Sequence, residues 1–261
     1  MAVSDGSTVG DDLTRALRQL ASRRPLLLAF DFDGALAPIV PLPPDARALP
    51  GSVEAIERLS RVDGVVTALV SGRSRDDLSV VTGATPSDRL LLVGSHGAEL
   101  DEDGPVGLDD AARGRLAVVT ALLQGVVTDH PGAHLERKPA SVVLHTRLIE
   151  DERSAAQAEL EALSLLNGRA GVHVTPGKKV VEAAVVPTGK GGALQRVRDA
   201  WAADGVLYVG DDVTDEDAFA VLRPQDVGVK VGGGQTLAGY RVADPAAVRD
   251  LLHLLVALLA G

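Results

Sequence analysis

The stretch Leu26–Val40, LLLAFDFDGALAPIV, decides the fold of this chain. Its first five residues are apolar, as in a strand that is buried on both faces of a parallel sheet. Asp31 ends this run and Asp33 follows two residues later, so both carboxylates should project to the same side where the strand ends. Open α/β sheets bind ligands at this end, and Gly34 allows the chain to turn sharply there. The stretch therefore predicts a buried strand that ends in a pair of reactive acids.

The composition excludes several classes of function. The chain has 261 residues, of which 46% are hydrophobic and 24% charged, as in an ordinary globular protein of one or two domains. Its formal net charge of −10 argues against nucleic acid or an anionic membrane as a partner. The absence of cysteine excludes disulfides, thiolate zinc sites and cysteine nucleophiles. The N-terminus lacks a signal-peptide pattern and no apolar run is long enough to span a bilayer, so we expect a cytoplasmic protein, with a monomer favoured.

Strands and helices alternate in the first and last thirds of the chain. Apolar runs predict strands over 26–30, 65–70, 90–93, 206–209 and 227–231, with helices between them. This alternation predicts a parallel sheet with helices on both faces.

The middle of the chain has a different pattern. Helices over about 109–128 and 151–166 each precede a pair of strand-like runs, and Pro176-Gly177 is predicted as the turn of the second pair. This α+β pattern indicates an inserted module. We therefore expect a core domain formed by 1–103 and 185–261, interrupted by a smaller α+β domain over 104–184.

Polar groups stand at the ends of the predicted core elements. They are Asp31, Asp33, Ser71, Lys190, Asp211, Asp212 and Asp215. Taken singly, each has a structural explanation as a turn, a helix start or an N-cap. Because parallel strands end at one edge of a sheet, these groups can also converge, and clustered carboxylates without cysteine form a site for a hard cation such as Mg²⁺. Lys190 and the backbone around Ser71 suit phosphoryl oxygens, so the set predicts phosphoryl transfer.

Four segments, DFDGALAPI, SGR, KG and GDDVTDEDAF, resemble in this order the motifs of haloacid-dehalogenase-like phosphatases. Three more segments, GSHGAE, ERKPASVVLHTR and GKKVVEAAV, make the chain similar to the trehalose-6-phosphate phosphatase family in particular. The resemblance implies a Rossmann-like core with a smaller α+β cap inserted between the second and third motifs. It also implies a magnesium-dependent hydrolase that releases trehalose from trehalose 6-phosphate.

The resemblance further implies roles for individual residues. Asp31 attacks phosphorus to give an aspartyl-phosphate, while Asp33 protonates the leaving sugar oxygen and then activates water. Mg²⁺ is bound by Asp31, the backbone carbonyl of Asp33 and Asp211. Asp212 or Asp215 lies next to these ligands without binding the ion itself. The other catalytic residues are Ser71 and Lys190, and the residues expected to bind substrate are Arg73, His96, Lys138, His145, Arg147, Lys178 and Glu182.

Two alternatives remain open at this point. One is another capped sugar-phosphate phosphatase, acting on sucrose phosphate or a glycosyl-phosphoglycerate. The other is a catalytically silent regulatory subunit, against which the presence of Asp31, Asp33, Lys190 and Asp211 argues. For the trehalose-6-phosphate phosphatase and for the other sugar-phosphate phosphatases, the expected partner is a small sugar phosphate and the expected cofactor is Mg²⁺.

Overall fold

The computed structural model describes residues 9–97, 99–100, 108–138, 140–177, 179–186 and 189–260. These residues form two compact units: the first contains the described residues up to 100 and from 189 on, and the second those between 108 and 186. Of the two domain boundaries expected from the sequence, that at 103/104 falls outside the described residues, and that at 184/185 stays a prediction.

Ten strands and eight α-helices make up these units. The strands are β1 (Leu26–Phe30), β2 (Val65–Val70), β3 (Leu90–Val93), β4 (His134–Arg137), β5 (Ser141–His145), β6 (His173–Gly177), β7 (Val180–Ala184), β8 (Gly205–Gly210), β9 (Val227–Val231) and β10 (Tyr240–Val242). The helices are α1 (Asp11–Leu20), α2 (Ser52–Ser60), α3 (Arg75–Thr82), α4 (Asp110–Asp129), α5 (Glu152–Leu166), α6 (Gly189–Ala200), α7 (Glu216–Ala220) and α8 (Pro245–Leu259). Each helix in the described part of the chain is too short or too polar to cross a bilayer.

The first unit is built on a six-stranded parallel sheet in the order β10-β9-β8-β1-β2-β3. All five residues of β1 are buried, because alternate side chains contact different helical layers. Leu28 and Phe30 share a core with α1, α2 and α8, whereas Leu27 and Ala29 share one with α6 and α7. The predicted α/β fold class is confirmed, and β1 lies at the centre of the sheet, where its carboxyl end meets those of β2 and β8.

The second unit is an antiparallel sheet in the order β4-β5-β7-β6, with α4 and α5 packed on one face. The side chains that pack against these helices alternate along β5 and β7, and they are Val142, Leu144, Val181 and Ala183. The side chains between them, including those of His145 and Glu182, point to the opposite face. This second face, which we call the open face, carries Ser141, His145 and Glu182.

Two sequence-based expectations differ from the structure at strand ends. The turn predicted at Pro176-Gly177 is wrong, because both residues belong to β6 and pair with β7. A proline is tolerated there since β6 lies at the edge of its sheet, where a missing N–H costs no ladder bond. The edge strand β10 was not predicted, because three residues are too few to show a period.

Candidate active site

Three ionisable side chains form a buried cluster at the carboxyl end of β1. Asp31 is the first residue after the strand, and Lys190 lies in the first turn of α6. The Lys190 Nζ atom is 2.9 Å from Asp31 Oδ1 and 2.7 Å from Asp215 Oδ1. The side chains of Lys190, Asp31 and Asp215 expose only 2%, 5% and 0% of their surface. Because buried charges need well-placed partners, this geometry holds Lys190 between the two carboxylates.

Burial also sets the protonation of the cluster. It raises the pKa of Asp31 well above the ordinary value, and Lys190 only partly opposes this shift. Burial alone would lower the pKa of Lys190, but Asp31 and Asp215 together raise it, so the lysine stays charged at neutral pH. A carboxylate nucleophile must be ionised. A further cation beside Asp31 would favour this ionised form.

Asp211 brings a third carboxylate to the same place. One oxygen from each of Asp31, Asp211 and Asp215 lies within 4.8 Å of the others. Asp211 Oδ1 is buried without a hydrogen-bond donor among the described residues, and burial, together with Asp215, raises the pKa of Asp211. Carboxylate oxygens that lack a donor are the ligands that Mg²⁺ prefers. These three carboxylates are therefore suitable ligands for a hard divalent cation.

The close approach of Asp211 to the loop after β1 depends on Gly34. This glycine has a φ of +83°, which other residues rarely adopt. A Cβ atom at this position would lie 2.0 Å from Asp211 Oδ2. Any side chain here would therefore displace the carboxylate that completes the cluster.

Asp33, the second acid after β1, is held by an arginine instead of joining the three-carboxylate group. Arg73 donates from Nε to Asp33 Oδ2 at 2.6 Å and from Nη2 to Asp33 Oδ1 at 2.7 Å. This double hydrogen bond raises the pKa of Arg73. The guanidinium carbon also lies 5.5 Å from the centroid of the Phe32 ring. Arg73, expected from the resemblance to bind substrate, is thus placed as the partner of Asp33.

Ser71 and His96 lie on neighbouring loops of the first unit. The Ser71 hydroxyl is buried and accepts a hydrogen bond from the Arg73 backbone N–H at 3.2 Å, and His96 N donates to Ser71 O at 2.9 Å. Burial lowers the pKa of His96, and Lys190 adds to this effect. The structure therefore brings both residues to the same sheet edge as Asp31.

Hydrogen bonds from β8 and from the loop after it hold Asp215. Asp212 N donates to Asp215 Oδ2 at 2.8 Å, and the Tyr208 hydroxyl donates to Asp215 Oδ1 at 2.7 Å. Lys230, on β9, donates to Asp212 O at 3.1 Å. Sequence reasoning missed Tyr208 and Lys230, although a polar atom inside an apolar strand run was a signal that could have identified them.

In the second unit, Glu182 is a centre of polar contacts on the open face. Its Oε1 atom accepts a hydrogen bond from Ser141 Oγ at 2.6 Å and lies 3.4 Å from Lys138 Nζ. Arg147 follows β5 and is exposed, whereas Lys178 lies outside the described residues. Of the residues expected to bind substrate in this unit, the structure therefore brings Lys138 and Glu182 into direct contact.

His145 is held by two residues that the sequence analysis did not single out as site residues. Its Nε2 atom lies 2.8 Å from Glu136 Oε2, and its ring stacks on that of His134 with centroids 4.8 Å apart. Both neighbours lie on β4, and His134 pairs directly with His145 in the antiparallel register. Alternation along β4 was the signal for them, since residues two apart share a face.

The chain has clear relatives among known proteins. The family model described as Trehalose-phosphatase matches residues 29–245. A bifunctional trehalose-6-phosphate synthase/phosphatase from Thermoproteus tenax is 35% identical over 242 residues, which cover 90% of this chain and 32% of that protein. A trehalose-phosphate phosphatase from Mycobacterium tuberculosis is 34% identical over 246 residues, covering 88% of this chain and 61% of that protein. The chain thus spans less than two thirds of the length of these curated relatives.

A solved structure gives the same result for the fold. The structure of Aspergillus fumigatus trehalose-6-phosphate phosphatase is similar with a TM-score of 0.67 and 27% sequence identity, over 96% of this chain and 98% of that one. The sequence match includes the buried cluster around Lys190 and the second unit. The chain belongs to the trehalose-phosphatase family.

Proposed function

We propose that this chain is a magnesium-dependent phosphatase that hydrolyses trehalose 6-phosphate to trehalose and inorganic phosphate through an aspartyl-phosphate on Asp31. The observation that carries the proposal is the buried cluster in which Lys190 Nζ lies 2.9 Å from Asp31 and 2.7 Å from Asp215. A buried carboxylate with a fixed cation beside it at the end of a central strand suits nucleophilic attack on a phosphate ester. The family match supports the choice of sugar.

The reaction proceeds in two displacements at phosphorus. An oxygen of Asp31 forms a bond to phosphorus while the bond from phosphorus to the sugar oxygen breaks, and the sugar oxygen takes a proton from Asp33. Water then gives a proton to Asp33 as its oxygen attacks phosphorus, which releases phosphate and restores the Asp31 carboxylate. Lys190, whose Nζ atom lies between Asp31 and Asp215, stabilises charge on the transferring group.

Asp31 and Asp211 are the residues that would hold Mg²⁺, with Asp215 behind them and the backbone carbonyl of Asp33 as a further ligand. When bound, the cation neutralises carboxylate and phosphoryl oxygens, which favours the ionised form of Asp31. Asp211 Oδ1, buried without a donor among the described residues, is the atom that most needs such a partner.

The Asp33–Arg73 pair adds a condition to this mechanism. Both oxygens of Asp33 accept hydrogen bonds from Arg73, so the acid cannot donate a proton while the pair is intact. An incoming phosphoryl group offers Arg73 a second anion with matching geometry. We therefore place Arg73 at the substrate and expect substrate binding to release Asp33, which then takes up a proton from water and can deliver it to the leaving sugar oxygen.

The second unit, over the predicted segment 104–184, is proposed to recognise the sugar. Glu182 and His145 are suited to bind hydroxyl groups, and Lys138, Arg147 and Lys178 can donate to the phosphate or the hydroxyls. Ser71 and His96 are proposed to act with the phosphoryl group in the first unit. The cytoplasmic location and the monomeric state stay predictions.

A panel of phosphate esters tests the proposal. Purified protein with Mg²⁺ should release phosphate from trehalose 6-phosphate with a higher kcat/KM than from sucrose phosphate or a glycosyl-phosphoglycerate. Preference for one of those esters would move the assignment to another sugar-phosphate phosphatase. No turnover of any ester would favour the regulatory subunit instead.

A further inference from the structure

Tyr208 is a fully buried tyrosine in β8, a strand whose other side chains are all aliphatic. Its ring packs edge-on against Phe219, with centroids 5.5 Å apart and planes at 81°. A phenylalanine could make this ring contact equally well. The hydroxyl is therefore the part of the side chain that needs an explanation, since burying it without a partner would be costly.

The hydroxyl donates to Asp215 Oδ1 at 2.7 Å, the oxygen that also accepts from Lys190 Nζ. The other oxygen, Oδ2, accepts from the Asp212 backbone N–H at 2.8 Å. Asp215 is completely buried, so water cannot replace a lost donor. Tyr208 and Lys190 together satisfy both lone pairs of Oδ1, and the three donors fix the plane of the carboxylate.

The position of Lys190 follows from the position of Asp215. Lys190 Nζ is shared between Asp215 and Asp31, at 2.7 Å and 2.9 Å. If the Asp215 carboxylate rotates, the lysine must follow it or lose a hydrogen bond in a site that is almost completely buried. The Tyr208 hydroxyl donates to Asp215 and not to Asp31 in the described part of the chain, so it can control indirectly how the ammonium group faces the nucleophile.

We propose that Tyr208 is a positioning residue for phosphoryl transfer, whose hydroxyl fixes Asp215 and through it holds Lys190 against Asp31. The proposal rests on the proposed phosphatase function. A hydroxyl with a merely structural role would lower stability and leave the kcat of the folded protein unchanged.

The test compares Tyr208→Phe with Tyr240→Phe, the same change at the other tyrosine of the chain, which is half-buried on the edge strand β10. At a temperature where both variants are folded, we expect Tyr208→Phe to lower kcat roughly 5- to 30-fold and to change KM by less than about twofold. Tyr240→Phe should retain the wild-type kcat. A kcat of Tyr208→Phe within about twofold of wild type would overturn the proposal.

A second measurement does not depend on turnover. In proteins labelled with ¹⁵N-lysine, the side-chain NH₃⁺ signal of Lys190 is identified by its loss in Lys190→Met. We expect this signal to shift or broaden in Tyr208→Phe and to stay unchanged in Tyr240→Phe. A lower kcat with an unchanged Lys190 signal would refute positioning through the lysine. If wild-type protein hydrolysed no ester, the proposed function would fail on its own, and the spectra would still test the contact.

Discussion

The polar clusters of the two units differ in how far water reaches them. Around Lys190 the charged side chains are almost completely buried, whereas Lys138 and Glu182 expose 33% and 29% of their side chains, and His145 and Glu136 expose 26% and 51%. In the first cluster a lost partner leaves a charge that water cannot reach. In the second, water competes for the contacts of these partly exposed side chains. We therefore expect the buried cluster to govern the chemical step and the open face to govern which sugar is accepted.

The sharpest test of the buried cluster is Asp31→Asn. The substitution keeps the volume and removes the nucleophile, so we expect kcat to fall by at least about a thousandfold. The fold should survive, because the amide occupies the same space and Lys190 keeps Asp215 as a partner. Phosphate release measures the first effect and thermal unfolding the second. Near-normal turnover in this variant would remove Asp31 from the mechanism.

Metal removal tests the same cluster through Asp211. EDTA should abolish turnover and added Mg²⁺ should restore it, since the carboxylates need a cation to ionise together. If Mg²⁺ binds only the folded state, a concentration of a hundred times Kd stabilises that state by about 2.7 kcal/mol. The Tm should therefore rise by several degrees. Asp211→Asn should lose this rise in Tm. If its Tm responds to Mg²⁺ like that of wild type, the cation binds elsewhere.

Much of the buried cluster could be predicted from the sequence, because local rules specify it. A continuous apolar run identifies β1 as a doubly covered strand, and parallel strands end at one edge, so the acids after β1 and β8 had to be near each other. The lysine at the start of α6 follows from the same alternation of strands and helices. In the first unit, contacts between residues at strand ends and helix starts can therefore be predicted from the order of the elements.

The remaining details depend on side-chain reach and on tertiary pairing. Spacing placed Asp33 beside Asp31 but could not show that Arg73 would bind both of its oxygens, since a long side chain has many rotamers. The extension of β6 through Gly177 is fixed by its pairing with Val180, which local turn propensity cannot reveal. From the sequence, Tyr208 is indistinguishable from a core residue of β8, because its hydrogen bond to Asp215 depends on the tertiary structure.

Glu182→Gln tests whether the open face acts on recognition alone. We expect kcat/KM for trehalose 6-phosphate to fall about 10- to 100-fold, because a charged acceptor for sugar hydroxyls becomes a weaker amide. Hydrolysis of p-nitrophenyl phosphate, which has no sugar, should stay within about twofold of wild type. Glu150→Gln makes the same change at an exposed glutamate between β5 and α5 and should affect neither ester. An equal loss on both esters would place Glu182 in the chemical step.

The smallest effect is expected for the pair formed by His145 and Glu136 on the open face. Because Glu136 is half exposed, water replaces most of what the contact provides, and their coupling in a double-mutant cycle should be only about 0.2–1 kcal/mol. The cycle uses Glu136→Gln, His145→Gln and the double variant, with unfolding in urea as the measurement. A coupling of several kcal/mol would mean that the stacked His134 shields the pair from water. The two clusters would then differ less in their access to water than we expect.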